Sequence, residues 1–345
     1  MKSFTGSTIT DRIASGMAIL SRTAMSLSVA VLAVGTAHAA VVGEVIATYD
    51  ASIGREAVMS ASTGSGFTSL ACGSGDLSYN GGTRYFVGTI PTAAFLPDGY
   101  HTSALVAFDE DCTQTVTIFS SPSMRFSTMP HWAHDGTRLA VYGESWDLVG
   151  SAMVESGIYV ASVTRDGAGR PIGIADLHLV IAAPGEMLIS WSGDDQRIAY
   201  VASAPDGGGG LQNDIWVYDL PSGTSGNVTN SPAVNEDHPA FSPVDNRIAF
   251  IRNGVVRGSY RYDIFTQSAS GGTATQVTTK GTTGASQNLA PCFSPDGQYL
   301  AFSSGSSMMP LAEIDIYRIK ADGSGKATNL TGKRTGSFRN PAWRR

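Results

Sequence analysis

The sequence has few charged residues and lacks several catalytic motifs, and each shortage excludes a class of protein. Charged residues make up 15% of its 345 residues, and the formal net charge is −6. A mildly acidic chain without a long basic run is unsuited to nucleic acid. No Gly-x-Ser-x-Gly, His-x-x-x-His or Asp-x-Asp-x-Asp pattern occurs. These absences argue against an α/β-hydrolase site and a metal site, and we expect no cofactor.

The N-terminal region reads as an export signal. An uncharged apolar run at residues 25–36 follows Lys2, Arg12 and Arg22 and precedes Ala37-His38-Ala39. This order of charge, apolar run and small-x-small site is typical of a secretory signal peptide over residues 1–39. A run of about twelve residues is too short for a transmembrane helix, so we expect no stable membrane insertion. The predicted location is periplasmic or extracellular, and the sequence leaves these two open.

A short motif recurs about every fifty residues through the rest of the chain. Its clearest copy is Phe-Ser-Pro-Asp-Gly-Gln-Tyr-Leu-Ala-Phe at residues 293–302, and the anchor is the aromatic residue before the turn. Related copies begin at Trp132, Trp191 and Phe241, and a truncated copy ends at Trp343. A degraded copy around residues 80–86 places Ser78 at the anchor position. A strand-built repeat of this period is typical of a β-propeller.

Each repeat predicts four strands. The Ser-Pro-Asp-Gly segment fits a tight turn between two strands, a third strand starts at Asp214, Asp263 or Asp315, and a threonine-rich segment supplies the fourth. We expect these aspartates to hydrogen-bond to local backbone. The last copy has only one strand, and residues 43–49, 55–61 and 66–70 can supply the other three. The sequence therefore predicts an all-β, six-bladed propeller over residues 40–345, with the ring closed by the C-terminal strand joining the N-terminal strands.

The three cysteines allow one disulfide in an oxidising compartment. Cys72 follows a fourth strand, whereas Cys112 lies in the next blade between strands three and four, on the opposite rim of the predicted propeller. This arrangement argues against a bond between them, although the sequence leaves the pairing open. We expect Cys292 to be a buried free thiol.

The repeats resemble the TolB-like propeller family, which also includes propeller domains of dipeptidyl peptidase IV and prolyl oligopeptidase relatives. The resemblance covers residues 43–345 and is carried by residues 291–302 with 315–331 and by residues 239–250 with 263–279. It implies a six-bladed propeller in an exported protein that binds other proteins. We expect neither the small N-terminal domain of TolB nor a hydrolase domain, and participation in a Tol-Pal-like system stays open.

Polar residues just before the inner strands are the candidate site, because these connections would surround the mouth of a central channel. Two insertions between second and third strands, at residues 144–153 and 204–211, are expected to be irregular loops on the same side. The exposed apolar side chains predicted on the first insertion include Trp146, for which a partner contact and packing on the blade are equally open. The candidate binding residues are Glu236, Asp237, His238, His131, Trp146, Asn288, Arg339 and Asn340.

The predicted function is that of a non-catalytic, monomeric propeller that binds a protein or peptide at the channel mouth. Two alternatives remain open: a propeller enzyme acting on polysaccharide by a metal-assisted lyase reaction, and a structural envelope component. A metal site would need several of the candidate residues to converge, and the more economical interpretation is that Asp237 and His238 cap their strand. Fold alone does not choose among these functions.

Overall fold

The computed structural model describes residues 45–343 apart from 53–54, 71–77, 81–84, 110–111, 127–129, 183–187, 233, 257–258, 286, 307–312 and 333. The predicted signal peptide and Cys72 lie outside the described residues. Within these ranges the protein is all-β, with one short helix, α1 (Lys280–Thr283). In the described part of the chain, no helix has the length and hydropathy needed to cross a membrane.

The first three sheets are described in the order of their N-terminal strands, and the first also contains the C-terminal strand. The first sheet contains β1 (Val45–Asp50), β2 (Arg55–Ser60), β3 (Thr68–Ser69) and β25 (Phe338–Trp343), in the order β25-β1-β2-β3. The second contains β4 (Ser78–Asn80), β5 (Tyr85–Phe95), β6 (His101–Asp109) and β7 (Thr115–Ser120). The third contains β8 (Met124–Phe126), β9 (His131–Trp132), β10 (Arg138–Asp147), β11 (Ala152–Arg165) and β12 (Pro171–Ala182).

Two further sheets complete the described strands. The fourth contains β13 (Ile189–Trp191), β14 (Arg197–Pro205), β15 (Leu211–Asp219) and β16 (Thr224–Asn227). The fifth has eight strands: β17 (Glu236–Phe241), β18 (Arg247–Val256), β19 (Ser259–Ser268), β20 (Thr275–Gln276), β21 (Gln287–Phe293), β22 (Tyr299–Gly305), β23 (Ile314–Lys320) and β24 (Thr328–Asn329).

The sheets form a β-propeller, but they are not the six separate sheets that the repeats predict. The described strands make five sheets, because a single parallel pair between Tyr262 of β19 and Gln287 of β21 joins eight strands into one. Apart from this parallel pair, the paired strands of the described sheets are antiparallel. The C-terminal strand β25 pairs with β1, from Ile46 opposite Trp343 to Asp50 opposite Phe338.

Local hydrogen bonds explain why the repeated motif turns the chain. The Ser294 hydroxyl donates to the Asp296 carboxylate at 2.6 Å and accepts the Tyr299 backbone N–H at 2.9 Å. Gly297 has φ of 69°, in the left-handed region that glycine enters at little cost. A Cβ on Gly297 would lie 2.5 Å from Val244 of the preceding repeat, so this glycine also allows neighbouring turns to approach closely. The turns all lie at one end of the propeller, called here the turn end.

Three anchor aromatic residues form cation–π contacts with an arginine of the preceding repeat. The guanidinium groups of Arg138, Arg197 and Arg247 occupy equivalent positions after the turns. They lie over the rings of Trp191, Phe241 and Phe293, respectively, at 5.0 to 5.4 Å from the ring centroids. Such cation–π contacts contribute about 0.5–2 kcal/mol each, depending on desolvation. The described residues supply no such arginine to Trp343, because Tyr299 holds the equivalent position.

The anchor of the second sheet differs from the prediction by one residue. Tyr79 pairs with Phe86, as Trp132 pairs with Leu139 in the third sheet, whereas Ser78 pairs with Val87. The backbone register therefore makes Tyr79, not Ser78, the anchor. The alignment was misled because residues 82–84 read Gly-Thr-Arg, the same letters as residues 136–138, which shifts the anchor by one position.

The recurring aspartates accept hydrogen bonds from side chains, several of them on the outer strands, rather than from the local backbone that the sequence predicted. Asp315 accepts hydrogen bonds from Asn329 at 2.8 Å and from Thr331 at 2.5 Å. Asp214 is fully buried and accepts from Asn227 at 2.7 Å. The threonine hydroxyl in turn accepts a backbone N–H of the third strand, that of Ile316 in this repeat. The aspartates thus fasten the fourth strand of each unit to the third and are structural.

The structure shows that Cys112 forms a disulfide and that Cys292 is free, as expected for Cys292. The pairing with Cys72, which the sequence left open, lies outside the described residues. Leu70 packs in the same apolar cluster as Cys112. Cys292 packs in a cluster with Trp343, and burial raises the pKa of its thiol to about 12.

Candidate functional site

Three inner strands begin with the same irregularity. In β17, β21 and β25 the pairing with the neighbouring strand is interrupted by a bulge just before a proline. The residue before that proline has positive φ in each strand: 52° at His238, 48° at Ala290 and 49° at Asn340. Non-glycine residues adopt this conformation at a cost of about 1–3 kcal/mol. The strain recurs at the end where the second and third strands of each unit are joined, called here the hairpin end.

Two candidate residues lie beneath this end. Glu236 and Asn288 occupy equivalent positions, and both are fully buried. Glu236 accepts hydrogen bonds from Arg252 at 2.5 and 2.9 Å, and burial raises the pKa of Glu236 against the opposing influence of Arg252. Asn288 donates to Asp263 at 3.2 Å and accepts from Ser304 at 2.9 Å. Both therefore hold the inner strands in place rather than form the exposed rim that the sequence predicted.

The next position along the same strands carries opposite charges. Asp237 in β17 corresponds to Leu289 in β21 and to Arg339 in β25. The Asp237 carboxylate accepts the backbone N–H of His238 at 2.7 Å. The Arg339 Nε group donates to Ser337 at 3.3 Å, and burial lowers the pKa of the guanidinium. In the described residues no carboxylate forms an ion pair with Arg339.

Five buried polar atoms on these strands have no hydrogen-bond partner among the described residues. One is the indole Nε1 of Trp343 at the far end of β25, and the other four lie near the hairpin end: Glu236 Oε2, His238 Nδ1, Gln287 Oε1 and Arg339 Nη2. The nearest charged atom to His238 Nδ1 is a carboxylate oxygen of Asp237 at 3.5 Å. Buried polar groups are usually satisfied by protein, water or ligand, so these four atoms have hydrogen-bonding capacity left for water or a ligand. The set offers both donors and acceptors and suits a polar, dipolar ligand.

Sequence reasoning missed Gln287 and Arg252. Gln287 lies one residue before Asn288, and an alignment extended one position further would have included it. Arg252 lies opposite Glu236 on the neighbouring strand, a pairing that only the register of β17 and β18 reveals.

His131 lies on the inner strand β9 of the third sheet. Its backbone carbonyl accepts the Trp191 indole N–H at 3.1 Å. Burial, together with a smaller effect of the nearby His134, lowers the pKa of His131 to about 4, so the imidazole is neutral at pH 7. His131 belongs to another sheet than the strands that carry the unpartnered atoms.

Trp146 lies farther out, on a strand hairpin rather than the irregular loop that was predicted. Strand β10 continues to Asp147, and Trp146 pairs with Met153 of β11 after a shift in register at Ser145. The second expected loop is also a strand hairpin, because β14 and β15 pair as far as Pro205 and Leu211. Trp146 is half-buried, and the structure does not bring it onto the inner strands.

The described residues contain no group of three or more histidine, cysteine, aspartate or glutamate side chains arranged to hold a metal ion. His238 and Asp237 lie together, but His131 is on a different sheet. Within the described ranges, the site thus contains the buried ion pair of Glu236 with Arg252, the Asp237 carboxylate and neutral polar groups. It also contains the Arg339 guanidinium, which forms no ion pair there.

The architecture defines the class of protein as a β-propeller, and its similarity is to TolB propellers. TolB from Acinetobacter baumannii superposes with a TM-score of 0.60 at 16% identity, covering 88% of this chain and 66% of that one. A protein assigned as TolB from Agrobacterium tumefaciens has a TM-score of 0.51 at 16% identity, covering 83% of this chain and 88% of that one. This chain thus matches just under two thirds of the Acinetobacter protein. At such identities the likeness concerns the fold.

A more distant likeness is to prolyl oligopeptidase B from Galerina marginata, with a TM-score of 0.48 at 11% identity, covering 76% of this chain and 34% of that one. No protein-family model matches this sequence. No curated protein matches it either.

Proposed function

We propose that this chain is an exported, non-catalytic six-bladed propeller that binds a protein or peptide at the channel mouth of its hairpin end. The binding residues are Asp237, His238, Arg339 and Asn340, with His131 and Trp146 at the periphery and Glu236 and Asn288 holding the strands beneath. The observation that carries the proposal is the set of four buried, unpartnered polar atoms near the hairpin end of β17, β21 and β25. The similarity to TolB propellers favours a polypeptide ligand.

The contacts among the inner strands favour a closed ring. Each inner strand touches two others, in the cyclic order β17, β21, β25, β4, β9 and β13, and β13 touches β17 again. The fifth sheet divides into two four-stranded units at its single parallel pair, so the five sheets correspond to six blades. The pairing of β25 with β1 supplies the closure, as in propellers that combine strands from both chain ends.

The proposed location and assembly rest on the sequence. Residues 1–39 have the order of a secretory signal, which places the propeller in the periplasm or outside the cell. The disulfide of Cys112 fits an oxidising compartment. We propose a monomer that needs no cofactor and binds no nucleic acid.

A peptide-display selection on the purified protein tests the ligand site. Recovered peptides are measured by calorimetry against wild type and the Arg339→Gln and His238→Ala variants. Loss of a charge-assisted hydrogen bond costs about 1.5–3 kcal/mol, so we expect Arg339→Gln to weaken binding by about 10- to 150-fold. The matched control is Arg170→Gln, which removes an arginine paired with Asp166 outside the site.

Two outcomes would contradict the proposal. The first is that no peptide binds the wild type at micromolar concentration. The second is that the selected peptides bind Arg339→Gln and His238→Ala as tightly as they bind Arg170→Gln.

A further inference from the structure

Exposed apolar side chains are concentrated on three neighbouring hairpins. Nine large hydrophobic residues are exposed among those described, and seven of them lie on the β5–β6, β10–β11 and β14–β15 hairpins. The most exposed are Val149 at 97%, Val154 at 66% and Leu211 at 62%. The remaining two, Ile172 and Val244, lie at the turn end. We call the hairpin segments 89–104, 142–157 and 202–213 the crown.

The crown is uniformly acidic as well as apolar. Its three segments contain five carboxylates and neither lysine nor arginine. The carboxylates belong to Asp98, Glu144, Asp147, Glu155 and Asp206. Among the described residues, Arg125 of β8 forms ion pairs with both Asp98 and Glu144, and the five carboxylates still leave an excess of negative charge. An apolar surface of one charge sign recognises a partner of the opposite sign.

The hairpins are held rigidly. Besides pairing with Asp98 at 2.7 Å and with Glu144, the Arg125 guanidinium lies 5.3 Å from the centre of the Tyr100 ring, so it clamps the β5–β6 tip to β10. The Asp147 carboxylate accepts the Val149 N–H at 2.9 Å and fixes the next tip. A rigid surface loses little conformational entropy on binding, which favours affinity.

We propose that the crown is a docking surface for a cationic, amphipathic polypeptide segment. Apolar side chains of that segment would cover Val149, Met153 and Val154, and its lysines or arginines would face Asp147 and Glu155. This inference deepens the proposed function, because it names the chemistry of a partner at the same end of the propeller. The negative charge argues against an anionic membrane and against a second copy of this chain.

The test uses a fluorescent peptide of alternating leucine and lysine, with a leucine–glutamate peptide of the same length as the charge control. Anisotropy titrations compare wild type with Val149→Ser/Met153→Ser/Val154→Ser, and with Ile172→Ser/Val244→Ser as the matched control at the turn end. We expect the crown variant to bind the lysine peptide at least tenfold more weakly and the control variant to match wild type. Asp147→Asn/Glu155→Gln should weaken binding and flatten its salt dependence.

Equal affinity of the crown and turn-end variants would overturn the inference, as would equal binding of the glutamate peptide. Crown-dependent flotation with phosphatidylglycerol vesicles, or a crown-dependent dimer in sedimentation, would overturn the choice of occupant. Arg170→Gln, which lies outside the crown and the channel mouth, should leave lysine-peptide binding unchanged, and the peptides selected for the channel mouth are titrated separately. A failure of the channel-mouth site is therefore distinguishable from a failure of the crown.

Discussion

Removal of the Trp343 side chain is the sharpest test of the proposed ring closure. Trp343 is 8% exposed and lies opposite Ile46, where β25 meets β1. Its cluster also contains Met59 of the first sheet and Leu330, which follows β24 of the fifth sheet. The indole therefore joins strands from both ends of the described chain to the last repeat.

The expected loss of stability follows from the burial of the Trp343 side chain. Truncation of a buried tryptophan to alanine costs about 3–5 kcal/mol. Unfolding entropy is about 2.1 cal/mol/K per residue, or roughly 0.6 kcal/mol/K for a propeller of about 300 residues. The Trp343→Ala variant should therefore melt about 5–8 °C below wild type. Deletion of residues 339–345 also removes the backbone pairing with β1 and should lower the Tm by more than about 10 °C.

Differential scanning calorimetry measures the shift, and Trp146→Ala is the matched control. Trp146 is half-buried on a hairpin, so we expect its truncation to lower the Tm by less than about 3 °C. Hydrogen exchange gives a second measurement, because the amides of β1 should lose protection in the deletion variant. A Tm within about 1 °C of wild type for Trp343→Ala, or protected β1 amides after the deletion, would refute the reasoning.

The remaining predictions concern single residues. The pKa of His131 is about 4 in the folded protein against an ordinary value of 6.5, so its neutral form is favoured by folding, and stability should be full above pH 6.5 and fall by at most about 3 kcal/mol as the pH drops to 4. The His131→Gln variant should lack that component in urea titrations. Asp214→Ala should cost about 2–3 kcal/mol in urea unfolding, because it strands the buried partners of the carboxylate. Finally, Cys292 should resist iodoacetamide until the protein unfolds, because its pKa is about 12. Reduction of the Cys112 disulfide should cost about 2–4 kcal/mol in the same unfolding assay.

Much of the architecture could be predicted from the sequence because the turn chemistry repeats. A Ser-Pro-Asp-Gly turn fixes its own geometry through the Ser294 and Asp296 hydrogen bonds, so each intact copy identifies a strand pair. The degraded copy at Tyr79 was misplaced by one residue, since only backbone pairing reveals the register. The Cys112 disulfide was left open, because a disulfide depends on the approach of elements distant in sequence.

The candidate site was less predictable. Repeat alignment found the positions of Asp237 and Arg339, but it could not distinguish a rim residue from a buried one. Glu236 and Asn288 are buried because Arg252 and Asp263 on neighbouring strands supply their partners. Such pairings arise from the contact of elements distant in sequence. The hairpin around Trp146 was interpreted as a loop because its strands outlast the repeat's usual length.

The repeated arginine is replaced by Tyr299 in the last full repeat, and this replacement has a mechanical consequence. Arg318 lies over Tyr299 instead of a neighbouring repeat's anchor, so the seam at Trp343 depends on the pairing of β1 with β25. These strands are antiparallel, with Ile46 opposite Trp343, and force applied at both ends of the described chain therefore pulls on the same end of the pair. Hydrogen bonds loaded in this way break one after another, as in a zip, rather than together in shear. Stretching should open the propeller at this seam first, at low force, and release the repeats in sequence afterwards.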